Sequence, residues 1–449
     1  MSIKPKALAL AVASLALAPS VAFADQSVSS TGQVLLYPFY NTQNEANTYM
    51  HVVNNTADQK AVRLRFKEAV NSAPVLEFNV YLGPHDVFPF ALAPNEFGGT
   101  SVITTDATCT VPQLGTSNPP YDGKQSVGFD GATLREQPFV PYLFDGEEND
   151  GVERTLTGHA EVIEMGVVSD TIDVADCDSL IDLWSTGAWA SNPATNVTSP
   201  SGGLSGSSLF IVPSLAYAMD MPVTAIDGWA KSGTNYHKST GTAAPGLEDG
   251  VAKAKVNGVT VDYTTQTNGA VLATSALLAS QSIANEVQVE DTIAGETDWV
   301  VTFPTKSYFT NGSSAAAPFT KVYDGTSEDN VACETMTLTR RDRNSNSSVN
   351  NGSFVPSDAG VDEESVCDAV SVLSFNGYSA LLADTAKTIS YSFQAGVATM
   401  NASQALPKDD NNVEIKGLPI IGFAATRIVN GPMSYGYAVD HKTLTVTSG

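Results

Sequence analysis

Few side chains in this sequence can do chemistry: five histidines, four cysteines and carboxylates scattered through polar loops. A hydrolase needs a nucleophile, a base and a group that orients the base, and histidine is the commonest base. His85 lies beside Asp86 and His441 beside Asp440, but neighbours on an extended chain point to opposite faces, so neither pair reads as a dyad. His51 falls in a strand-like run, and His159 and His237 have no ligand-like neighbour. The closest approach to a nucleophile elbow, Gly203 to Ser207, lacks the final glycine. Zinc-protease, phosphate-loop and dinucleotide signatures are missing from the sequence, and in so acidic a chain paired carboxylates do not mark a glycosidase. The expectation is a protein that is not an enzyme.

Calcium is the one cofactor the loops suggest, because hard cations collect carboxylate and carbonyl oxygens from flexible turns. The stretch DGEENDG supplies Asp145, Glu147 and Asp150 as calcium candidates, and residues 324–330, 357–365 and 408–412 are similar. None is an EF-hand, since Gly151 falls one place late and no glutamate closes the loop. Plain solvated turns are the competing reading. The cysteines form two well-separated groups without C-x-x-C spacing, which in an exported protein means two disulfides. Cys109 with Cys177 and Cys333 with Cys367 is the simplest of the three connectivities.

These groups must be held by elements that the sequence also outlines. Residues 1–24 carry Lys4 and Lys6, an apolar stretch and the small-residue site Ala22-Phe23-Ala24, the pattern of a secretory signal peptide. Their removal takes away two lysines and no acid, leaving 21 cations against 48 acids, a net charge of −27. Such a charge repels nucleic acid and anionic membrane, and close packing of copies then needs salt or divalent cations for screening. No later apolar run is long enough for a transmembrane helix.

Val34 to Tyr40 are uninterruptedly apolar or aromatic, which predicts a central strand buried on both faces, with Pro38 at a bulge or strand end. Val62, Leu64 and Phe66 alternate with Arg63, Arg65 and Lys67, a strand with one apolar face. Residues 48–82 read as an antiparallel meander. The cations on its outer face either pair with acids such as Glu77 or form a positive stripe for self-association. Strand-like runs recur at 158–168, 208–214, 297–305, 334–342, 369–375, 389–400, 418–429 and 442–448, and residues 179–191 and 269–286 read as short helices.

The fold class is mainly β, with antiparallel sheets packed as sandwiches in one or more domains and a few short helices in insertions. An N-terminal β region over 25–190, a flexible linker over 191–208 and a C-terminal β region over 209–449 are expected. Tyr121, Tyr142, Trp184 and Trp189 on loops offer an alternative role, a sugar or peptide site on a monomeric adhesin.

The segments GQVLLYPFY, VVNNT, AVRLRFKEA and LEFNVYLGPHDV within 32–90, with GHAEVIEMGVV, TDWVVTFPTKSYF and GLPIIGFAATR further on, resemble a family of exported cell-surface or surface-layer proteins of marine and environmental Gram-negative bacteria. The resemblance implies self-association into a surface layer or biofilm matrix on the outer membrane, contact with outer-membrane components and no enzymatic signature.

Overall fold

Strand Val34–Asn41 is buried at all eight positions, as its composition predicts. In the computed structural model, which describes residues 25–448 apart from 118–119, 129–130, 142, 145, 148–149, 242–244, 326–331, 345–361 and 432, this strand runs between Thr224–Asp227 and Thr157–Val168. The signal-peptide segment 1–24 lies outside the described residues. Pro38 has no N–H to give to a ladder, and the pairing skips there: Gly158 faces Tyr40 while Ala160 faces Tyr37.

The sheet built on this strand has eight members. Its main path runs Ser27–Ser29, Thr224–Asp227, Val34–Asn41, Thr157–Val168, Gln59–Glu68, Pro74–Leu82 and Cys109–Val111, with Val197–Thr198 pairing on the end of Thr157–Val168. A seven-stranded sheet packs against it, in the order Tyr217–Met221, Leu204–Val212, Asn47–Asn54, Val87–Pro94, Thr100–Thr104, Thr133–Pro138 and Lys124–Val127. Between them lies an aromatic core in which Phe66 touches Tyr40, Phe78, Phe90 and Phe139. Two five-stranded sheets make a second sandwich around Trp299, Phe375 and Met400. None of these four sheets closes into a barrel.

The two sandwiches share apolar contacts. Phe39 and Phe210 of the first cluster with Val300, Leu381 and Phe423 of the second, and Thr302 Oγ1 donates to the Pro38 carbonyl across the junction at 2.6 Å. Disulfides join Cys109 to Cys177 and Cys333 to Cys367. The first ties an edge strand to helix Cys177–Ser185, which covers the outer face of the eight-stranded sheet.

Four expectations change. The stretch 191–208 is no linker: Val197–Thr198 and Leu204–Val212 are both sheet members, and the first sandwich continues to Asp227. Ser, Gly and Asn there serve turns within one unit rather than a border between two. The meander over 48–82 is broken, because Asn47–Asn54 belongs to the seven-stranded sheet whereas Gln59–Glu68 and Pro74–Leu82 pair in the other; the turn at 55–58 crosses between layers. The helix over 269–286 stops at Leu278, and Ser282–Gln288, where burial alternates, is a strand. The run 389–400 divides between sheets, ending one strand at Ile389 and supplying most of Ala395–Ala402. The helical reading of 179–191 matches Cys177–Ser185 and Ala188–Ser191.

Gly158 marks where the bulged strands approach most closely. A Cβ there would stand 2.0 Å from the Lys67 carbonyl oxygen and 2.7 Å from the Tyr40 ring. Gly158→Ala should therefore cost about 1–3 kcal/mol, the usual range for overpacking, read as a lower urea midpoint with unchanged slope. A midpoint equal to the parent's would refute this close approach.

Candidate functional site

The outer face of Gln59–Glu68 carries the three cations singled out above, and the register sets acids beside them. Glu161, Arg65 and Glu77 stand directly opposite one another on adjacent strands. Arg65 Nε donates to Glu77 at 2.9 Å and its Nη1 to Glu161 at 2.8 Å, while Lys67 Nζ donates to the other Glu161 oxygen at 2.8 Å. Arg63 Nε donates to Asn79, and its Nη2 donates to the carbonyls of Lys238 and Ser239.

The expected pairing with Glu77 is present, but the exposed stripe is not. Side-chain exposure is 0% for Arg63, 7% for Arg65 and 5% for Lys67. The self-association role assigned to these residues needed a free surface. A second layer from residues 229–241, Leu247 and Tyr308 covers that face instead. Burial opposes the charge of Glu161, but Lys67 and Arg65 outweigh it and hold the carboxyl down at about 2. Burial, with help from Lys67, pushes the His159 imidazole down to about 3, and burial brings Arg63 down to about 10.

Above Arg65 and Lys67 opens a cleft of about 680 Å³ between the first sandwich and segment 307–325. Asn71, Ser72, Tyr308 and Tyr323 line it with these two cations. Ser72, held at φ 59°, places its hydroxyl 2.9 Å from His159 Nε2, a contact between residues 87 apart that local spacing cannot reveal. The pair has the types of a nucleophile and a base, yet its surroundings withhold the other parts. No described group meets His159 Nδ1, the ring is a weak base, and the turn amides of Val70, Asn71 and Ala73 all donate to Glu68. An oxyanion hole at this turn would need those N–H groups.

The remaining histidines are spread out. His85 is an exposed turn residue at φ 54°, His51 lies near Ser207 on a sheet face, and His441 Nε2 bonds the Val300 carbonyl rather than Asp440. His237 Nδ1 donates to the Pro193 carbonyl, so its Nε2 accepts from the Tyr81 hydroxyl at 2.8 Å within a cluster of Trp184 and Trp189. Trp189 is thus core, and Trp184 packs against it rather than standing on a loop. Tyr121 packs at a tilt against Phe97, and Tyr142 is outside the described residues.

The two calcium candidates among the described residues each have partners of their own. Glu147 pairs with Arg154 and accepts from the Tyr323 hydroxyl at 2.6 Å, Asp150 is exposed and accepts from the Gly146 N–H, and Asp145 lies outside the described residues. Among the described residues no three His, Cys, Asp or Glu side chains group as a metal site.

The seven-stranded sheet presents a different surface. Its inner residues are buried, but along its outer face Leu209, Tyr49, Ala91 and Ile103 stand directly opposite one another on four strands, all at least partly exposed. Val53, Val87, Pro89 and Ile211 extend the row, and Tyr49 is 50% exposed. Among the described residues these positions keep part of their surface open to solvent. No protein-family model, curated protein or solved structure matches the chain, so its function rests on this geometry.

Acid should act on Glu161 and His159 with the same sign. Glu161 falls from an ordinary 4.5 to about 2 and His159 from 6.5 to about 3, so each contributes stability above its unfolded value that is lost as pH falls through the folded one. These two contributions to the free energy of unfolding should therefore decline from about pH 6.5 towards pH 2, whereas Asp298, raised by burial to about 6, acts with the opposite sign. Glu161→Gln should cost about 3–5 kcal/mol at pH 7, because two cations lose their shared partner, and should flatten the decline below pH 4.5. Denaturation at several pH values checks both; an unchanged slope in the variant would exclude Glu161 as the source.

Proposed function

We propose that this protein is a non-enzymatic, secreted structural protein of the cell surface that self-associates into a layer or matrix on the outer membrane. The open apolar face of the seven-stranded sheet carries the reading. A contiguous apolar surface on an otherwise acidic protein marks an interaction site, and a second copy is the occupant it suits. Two molecules at −27 repel over most of their surfaces, and they approach most easily where each presents uncharged Leu209, Tyr49, Ala91 and Ile103.

Burial of cations strengthens this contrast. Nine lysines and arginines but six carboxylates are buried among the described residues, so the surface is more acidic than the composition alone. Divalent cations and salt then act as screening partners between copies. Two disulfides support an oxidising, exported setting. The cleft over Arg65 and Lys67 favours ligand binding as a second role, compatible with a layer.

Purified, disulfide-intact protein in saline with calcium should sediment as large assemblies that chelation in low salt disperses. Tyr49→Asp combined with Leu209→Asp should sediment as a monomer with the parent's circular dichroism. A parent that stays monomeric in saline calcium, or a double variant that assembles equally well, would remove the reading.

A further inference from the structure

We infer that two copies meet through the outer face of the seven-stranded sheet about a two-fold axis along its middle strand, Val87–Pro94, so that Asp220 of each copy reaches Lys124 of the other. The inference rests on the self-association proposed above and adds the symmetry of the contact and the charges that set it. Its first support is where charge lies on this face. The row Leu209, Tyr49, Ala91 and Ile103 continues at both ends: Asp220 stands opposite Leu209 on one edge strand, and beyond Ile103 come Glu136 and then Lys124 on the other edge strand. The four central strands hold no lysine, arginine, aspartate or glutamate. Asp220 is exposed, and Lys124 is half-exposed in an open ion pair with Glu96, which such exposure leaves weak and exchangeable.

The second is symmetry. A face that meets its own copy presents the same patch on both sides, related by a two-fold axis in the plane of contact. An axis across the strands, along the row, sets Asp220 on Asp220 and Lys124 on Lys124. An axis along the strands reverses the row instead. Val87–Pro94 is fourth of the seven strands, so an axis along it lays Tyr217–Met221 over Lys124–Val127 of the other copy and brings Asp220 to Lys124. Shifting that axis half a strand towards Asn47–Asn54 brings Asp220 onto Glu136, acid against acid. Only the central axis joins opposite charges, and it joins them twice, between molecules that otherwise repel.

The third is shape. Residues on the axis face their own counterparts, and the outward positions of the middle strand are Val87, Pro89, Ala91 and Ala93, all uncharged and short. Short side chains there let the two sheets close until Tyr49, on the next strand, covers Ile103 of the other copy, burying aromatic against aliphatic surface on both sides of the axis. Such a pair closes on itself. A layer therefore grows from pairs, through further contacts that are weak for one copy and strengthened when two are joined.

The test uses disulfide-intact protein in saline with calcium chelated, where the parent should sediment as a pair. Ala91→Cys, on the axis, should become a covalent dimer with the short linker bismaleimidoethane. Leu209→Cys should not, because two strand spacings on either side of the axis hold its two copies roughly 19 Å apart. Asp220→Lys should weaken pairing about fivefold, and Asp220→Lys combined with Lys124→Asp should restore it to about the parent's. Within one copy these positions lie six strand spacings apart, roughly 29 Å, so rescue reports a contact between copies. A parent that assembles while Ala91→Cys stays unlinked, equal linking of Leu209→Cys, or no rescue in a double variant with the parent's circular dichroism would each overturn this inference and leave self-association standing. A parent that is monomeric with and without calcium would overturn both.

Discussion

Opposite charges crossing three strands and closed off from water, Glu161 to Arg65 to Glu77, are the constraint on which this architecture turns. Charged groups are costly to dehydrate, and the cost is offset only where partners meet at close range with good geometry. The strands Gln59–Glu68 and Thr157–Val168 meet that condition by register. Sliding one strand by a single residue would send Phe66 to the ionic face and Arg65 into the aromatic core. The ion row thus specifies pairing as firmly as the core does, and it lets a sheet with an alternating pattern be covered on both sides.

That double covering separates the two sheets of the first sandwich. The eight-stranded sheet is a middle layer, held between the aromatic core and a second shell built from helix Cys177–Ser185, Trp189, Trp229 and Leu247. The seven-stranded sheet is an outer layer whose apolar face stays partly open among the described residues. The cleft arises at the border of the shell, where Tyr308 reaches over Lys67 and the covering stops.

Local pattern made much of this legible. The unbroken apolar run at Val34, the alternation through Val62, Leu64 and Phe66, the proline bulge, the two disulfides and helix Cys177–Ser185 all follow from short-range chemistry. Alternation, however, distinguishes two faces without saying what lies over the second. Arg63, Arg65 and Lys67 read as solvent-facing because lysine and arginine usually are, and their acidic partner Glu161 is 96 residues from Arg65 in sequence. The same limit hid the contact of Ser72 with His159 and the open face, where Tyr49, Leu209 and Ala91 come from three separate strands. Composition misled at 191–208, since serine and glycine suit a tight edge within a sheet as well as a tether between bodies.

The junction of the two sandwiches has a bearing on shape. Phe39 against Phe423 and the Thr302 bond to Pro38 pin the two sandwiches directly to each other. Copies joined through the bare sheet face would therefore meet at one angle, repeated at every contact. The bend of any assembled shell would be inherited from the outline of the individual molecule, and wrapping around a cell of a different radius would have to be absorbed by slippage between neighbours.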